Sequence, residues 1–143
     1  MRSLLDVNVL IALFDADHVF HQRAWEWFDG AIDEGWASCA ITQNGYLRIV
    51  SSPRYPGAHI TANEALGLLR GATTDAHHEF WPCDVSLIDS DKVDSTRAFT
   101  SSQVTDMYLL ALAVTHQGRF VTFDQHIALS QVRRATPENL VVL

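Results

Sequence analysis

The chain has 143 residues, 48% hydrophobic and 19% charged, enough for one globular domain that buries about two-thirds of its unfolded surface. A formal charge of -7 excludes a generic polybasic coat for nucleic acid, although local arginines or a bound metal can reverse the sign at a site. No run is long and apolar enough to span a bilayer, and Asp6 and Asn8 interrupt the apolar stretch 4–14 that would otherwise resemble a signal-peptide core, so a cytoplasmic location is expected.

Residues 3–6 read as a short buried strand and 7–14 as a helix leaving it directly. The polar run 15–18 suits a helix start, and Ala24, Trp25, Trp27, Phe28 and Ile32 recur at near-helical spacing until Gly35. A second strand is predicted over 36–41. Thr42 then caps a helix over 43–50, and residues 51–57 are dense in breakers. Thr61 and Glu64 form a capping box for a helix over 61–70. A third strand is predicted over 78–82, and 84–100 shows no clear pattern. An apolar helix spans 103–117, with Gly118 ending it. A strand over 119–122, a short helix over 125–130 and a last strand over 139–143 complete the chain. Cys39 and Cys83 stand alone, at no metal-binding spacing, and are expected as buried thiols in a reducing compartment.

Continuous apolar strands alternating with helices predict an α/β fold, three layers α/β/α around a central parallel sheet of four to five strands, in a single domain over 1–143. Ligand sites in such folds lie beyond the carboxyl ends of the strands. Asp6 falls at the end of the first strand and Asp124 just past a later one. Thr42 and Gln43 follow the second strand, and Asp106 begins the apolar helix. Each of these aspartates borders apolar sequence, where an uncompensated carboxylate costs roughly several kcal/mol. Three such residues meeting at one edge point to a shared divalent cation, and hard oxygen donors without a Cys or His pairing favour Mg2+ or Mn2+. Two such ions about 4 Å apart would support phosphodiester hydrolysis.

The segments Leu4-Leu5-Asp6-Val7-Asn8, Thr42-Gln43-Asn44-Gly45, Val104-Thr105-Asp106-Met107-Tyr108 and Val121-Thr122-Phe123-Asp124 together resemble, in order and spacing, the PIN-domain ribonucleases and more narrowly the VapC toxins. The resemblance implies a PIN fold, a Mg2+- or Mn2+-dependent endoribonuclease acting on structured RNA, a homodimer, and a cognate VapB-like antitoxin. It assigns Asp6, Asp106 and Asp124 as metal ligands, with Asn8 and Thr122 in supporting positions. Where the family has Glu after the second strand this chain has Gln43, which can coordinate through its oxygen but brings no charge. The alternative is therefore a catalytically weakened PIN domain that acts mainly by binding RNA or antitoxin.

Arg48, Arg54 and Arg119 offer forked donors for phosphate. None of the seven histidines falls in a strand-end motif, and His18, His21, His77 and His78 are expected as solvated or packing residues. Trp25, Trp27 and Phe28 are expected in the core, or lining a groove for an amphipathic antitoxin helix. A phosphate-accepting receiver domain would need a lysine near a late strand, and none follows Lys92. A haloacid-dehalogenase-type phosphatase would need Asp where Asn8 stands.

Overall fold

The computed structural model describes residues 1–57, 59–97 and 99–143. Five parallel strands, β1 (Ser3–Leu5), β2 (Trp36–Cys39), β3 (His78–Trp81), β4 (Arg119–Thr122) and β5 (Leu140–Val142), lie in the order β3-β2-β1-β4-β5. Parallel strands need crossovers, and five helices supply most of them: α1 (Val7–Phe14), α2 (His21–Ala31), α3 (Ala40–Val50), α4 (Ala62–Thr73) and α5 (Val104–Thr115).

Alternation along each strand splits the core in two. Leu5, Trp36 and Val121 face one way, against Val9, Leu10 and Leu13 of α1, Ala24 of α2, Tyr46 of α3 and Ala65 and Leu69 of α4. Leu4, Ala37 and Phe120 face the other way, against Met107, Leu109, Leu110 and Ala113 of α5. The three-layer arrangement anticipated from the strand pattern is thus present, with four helices on one face and α5 on the other.

Several boundaries differ from the sequence expectation. The second helix starts at His21, because Asp15 and His18 spend their side chains on the amides of Asp17 and Phe20 in successive turns. Helix α3 starts at Ala40, not after Thr42. Thr42 Oγ1 reaches back to accept the Cys39 amide at 3.0 Å, so Thr42 sits inside the first turn and the strand stops at Cys39. No α-helix forms over 125–130. The His126 amide goes to Asp124 Oδ1 (2.7 Å) and its carbonyl to Gln103 Nε2 (3.1 Å), leaving neither for a helical ladder; a short 3-10 turn follows at Leu129–Gln131. Cys39 is buried as expected, but Cys83, just past β3, is exposed. No helix among the described residues is long and apolar enough to cross a membrane.

Gly118 ends α5 through lack of bulk rather than through an unusual backbone angle. The left-handed residue is Gln117, at φ 56°. A Cβ at Gly118 would stand 2.7 Å from the Arg2 carbonyl oxygen and overlap the Trp81 ring. Gly118→Ala is expected to destabilise the fold by about 1–3 kcal/mol, the usual cost of overpacking against backbone. Urea denaturation checks this; an unchanged midpoint would contradict it.

Candidate active site at the sheet switch point

The strand order reverses between β1 and β4, since β1 leads to β2 on one side while β4 lies on the other. A cleft at such a reversal is the usual ligand position in an open parallel sheet. Asp6 follows β1 and caps α1, its Oδ1 accepting the Val7 amide at 2.7 Å. Its other oxygen, Oδ2, accepts a hydrogen bond from Thr122 Oγ1 (2.8 Å), at the end of β4. The same Thr122 oxygen accepts the Asp124 amide at 3.1 Å. Thr122, fully buried, thereby ties the first aspartate to the loop carrying the third.

Asp106 enters from the first turn of α5. Among the described residues no hydrogen bond reaches its carboxylate, and burial, then Asp6, then Asp124 push its pKa up to about 6. Asp6 is also raised, chiefly by burial and despite the Thr122 and Val7 donors, with Asp124 adding to the rise. Asp124 is exposed and lowered, first by the His126 amide and then by the His126 ring, whose Nδ1 lies 3.0 Å from Oδ1. Asp106 thus feels both other carboxylates, and Asp6 feels Asp124. The three do not close on a point: among the described residues no three His, Cys, Asp or Glu side chains are grouped so as to enclose an ion by themselves. An all-oxygen donor set of this kind fits a hard divalent cation.

The raised pKa of Asp106 fixes a sign. Between its ordinary 3.8 and about 6 the folded protein holds a proton that the unfolded chain gives up. The contribution to stability is therefore complete below about pH 4 and is lost as pH rises through 6. In EDTA, Asp106→Asn is expected to melt above wild type near pH 7.5 and level with it near pH 4. A variant melting lower at the higher pH would contradict this.

Gln43 is half-buried in the second turn of α3. This helix approaches α1 closely, a Cβ on Gly45 falling 2.6 Å from a methyl of Val7, the residue after Asp6. Gln43 Nε2 donates to Ser38 Oγ at 2.9 Å. Asn8 is exposed on α1, with no hydrogen-bond partner among the described residues.

The proposed phosphate contacts separate. Arg48 and Arg54 are exposed and line one shallow cleft with Ser52 and Tyr55. Arg119 is at the wrong end of the sheet. It begins β4, whose other end carries Thr122, and it is occupied by Ser3 Oγ (2.8 Å) and Glu34 (3.3 Å) beneath the Trp27 ring. It is a structural residue at the opposite edge. The aromatic stripe is only partly core: Trp27 and Phe28 are partly buried, while Trp25 is 46% exposed and borders an apolar hollow of about 420 Å³ with Leu13, Phe14, Phe28, Ile32 and Ala72.

His126 escaped the sequence reading, and His78, expected as a solvated or packing residue, packs on Trp36 and also makes a polar contact. His126, four residues past the end of β4, binds Asp124, a contact signalled by the Asp-x-His spacing. His78 lies 2.8 Å from Ser38 Oγ, and nothing in the sequence links positions 40 apart.

The family model for the PIN domain matches residues 3–134, and Ribonuclease VapC44 of Mycobacterium tuberculosis is 58% identical over 143 residues, covering all of both chains. The chain belongs to the VapC family of PIN-domain proteins. Ribonuclease VapC39 of the same organism is 43% identical over 90% of this chain and 92% of its own length. Ribonuclease VapC38 is 37% identical over 99% of each. Among solved structures, VapBC2 from Rickettsia felis bound to a DNA fragment from their promoter superposes with a TM-score of 0.62, covering 99% of this VapC-family chain and 98% of that one. At 10% identity that likeness bears on fold alone. PIN-domain ribonucleases as a class depend on a divalent metal.

Proposed function

We propose that this VapC-family chain is a divalent-metal-dependent endoribonuclease, the toxin of a toxin–antitoxin pair, working as a single PIN domain that pairs into a homodimer. The observation that carries the reading is Asp106: a half-buried carboxylate with no hydrogen-bond donor among the described residues, its pKa raised by burial and then by two other carboxylates at a sheet switch point. A cation reverses that repulsion and keeps all three ionised. Asp6, Asp106 and Asp124 would hold it, with Gln43 offering a neutral oxygen. Mg2+ or Mn2+ suits these donors and would supply a polarised phosphate and an activated water.

The chain's own residues have separable tasks. Thr122 fixes the rotamer of Asp6 and the path of the Asp124 loop. His126 holds Asp124 in place. Asn8, exposed in the first turn of α1 two residues after Asp6, would orient substrate or water. Arg48 and Arg54 share a cleft able to receive phosphate from an RNA strand. The hollow beside Trp25 is of the kind that receives an apolar helix face, which suits a VapB-like antitoxin.

Incubating the purified protein with total RNA in Mg2+ or Mn2+, and in EDTA, tests the reading. Cleavage that EDTA abolishes is expected. Intact RNA in every condition favours a PIN domain weakened by Gln43 that acts by binding alone.

A further inference from the structure

Gln43, Ser38 and His78 form a hydrogen-bonded line on the sheet face covered by α1 to α4. Gln43 Nε2 is 2.9 Å from Ser38 Oγ, which is 2.8 Å from His78 Nε2. Ser38 is wholly buried, and the His78 ring packs on Trp36 with centroids 4.4 Å apart. The Ser38 hydroxyl has no third partner among the described residues, and it owns one proton. The line can therefore run in only two directions. Either the amide of Gln43 donates to Ser38, which donates to an unprotonated Nε2, or a protonated Nε2 donates to Ser38, which donates to the amide oxygen.

The Gln43 amide nitrogen lies on Ser38 as a donor, which is the first direction, and the Ser38 proton is then left for Nε2 of His78. Burial holds the His78 pKa below the ordinary histidine value, with Arg2 acting the same way and the Thr73 backbone, Glu79 and Asp75 opposing, which suits a neutral ring bare at Nε2. That direction leaves the Gln43 oxygen as the end not bound to Ser38, in the helix that follows β2, on the same carboxyl edge of the sheet as Asp6 after the neighbouring β1.

A carboxylate offers equivalent oxygens whichever way it turns, whereas a carboxamide turned over presents N–H donors and repels a cation. A glutamine serving where a glutamate would serve needs something to choose its orientation. We propose that Ser38 and His78 are positioning residues that lock the Gln43 carboxamide with its oxygen turned toward the acidic cluster. The inference rests on the cluster being a cation site.

Nitrogen-15 spectra of the histidines in metal-free protein read the direction without any substitution. His78 is expected protonated at Nδ1 and bare at Nε2; a proton on Nε2 in wild type overturns the proposal. In Gln43→Glu two acceptors compete for the single Ser38 proton, so His78 is expected to gain a proton at Nε2, and an unchanged spectrum overturns it. Mn2+ binding followed by electron paramagnetic resonance supplies the other arm. Ser38→Ala is expected to weaken binding by about 3–10-fold beside Gln43, the worth of one hydrogen bond, and by under about twofold beside Glu at 43. Equal losses in both backgrounds overturn the positioning role. Wild-type protein that binds no Mn2+, with His78 in the expected tautomer, overturns the cation reading and with it the task of the Gln43 oxygen, while the hydrogen-bonded line itself stands.

Discussion

Asp106→Asn is expected to lower metal-dependent RNA cleavage by about 100-fold or more, since a cation contributes several kcal/mol to a phosphoryl transition state and each 1.36 kcal/mol is tenfold. Asp106 is the most telling of the three aspartates to change. Asp6 also caps α1 and accepts from Thr122, and Asp124 holds the His126 turn, so their removal would disturb local structure as well as charge. Asp106 has no hydrogen bond to lose among the described residues, and its ionised form is destabilising in the metal-free fold. The same substitution should therefore raise melting temperature in EDTA at neutral pH while it removes turnover. That pairing of opposite signs distinguishes a functional carboxylate from a structural one. Cleavage within about twofold of wild type would remove Asp106 from the chemistry.

Gln43→Glu is expected to raise cleavage about tenfold at limiting metal. A fourth negative charge near the site gains roughly 1–2 kcal/mol of attraction to a cation once its own desolvation is subtracted, close to tenfold in ion affinity. The gain should shrink at saturating metal, because it acts on binding more than on turnover. Cleavage unchanged at every metal concentration would count against placing Gln43 at the site.

Local rules carried the parts of the fold whose hydrogen bonds close within a few residues. The strand over 119–122, the helix over 7–14 and the Thr61–Glu64 capping box follow from apolar runs and cap chemistry, and all three stand. The same local logic misled wherever a side chain was claimed by something else. Thr42 reads as a cap, yet bonds back to Cys39; residues 125–130 read as helix, yet Asp124 and Gln103 hold both backbone groups of His126. Arg119 showed its limit most clearly. An arginine beside a strand is legible in the sequence, but which end of the sheet it occupies depends on strand direction and on the partners waiting at that edge.

The sequence by itself determined which residues are out of place on solvation grounds: three carboxylates set in or beside apolar runs, a mismatch any fold would have to resolve. Only the tertiary structure decided how it is resolved. Thr122 reaches Asp6 from 116 positions away, and Ser38, bonded to Gln43, reaches His78 from 40 away. Hydrogen bonds act over about 3 Å whatever the distance along the chain, so pairings of this kind exist only after β1, β4, β2 and β3 lie side by side.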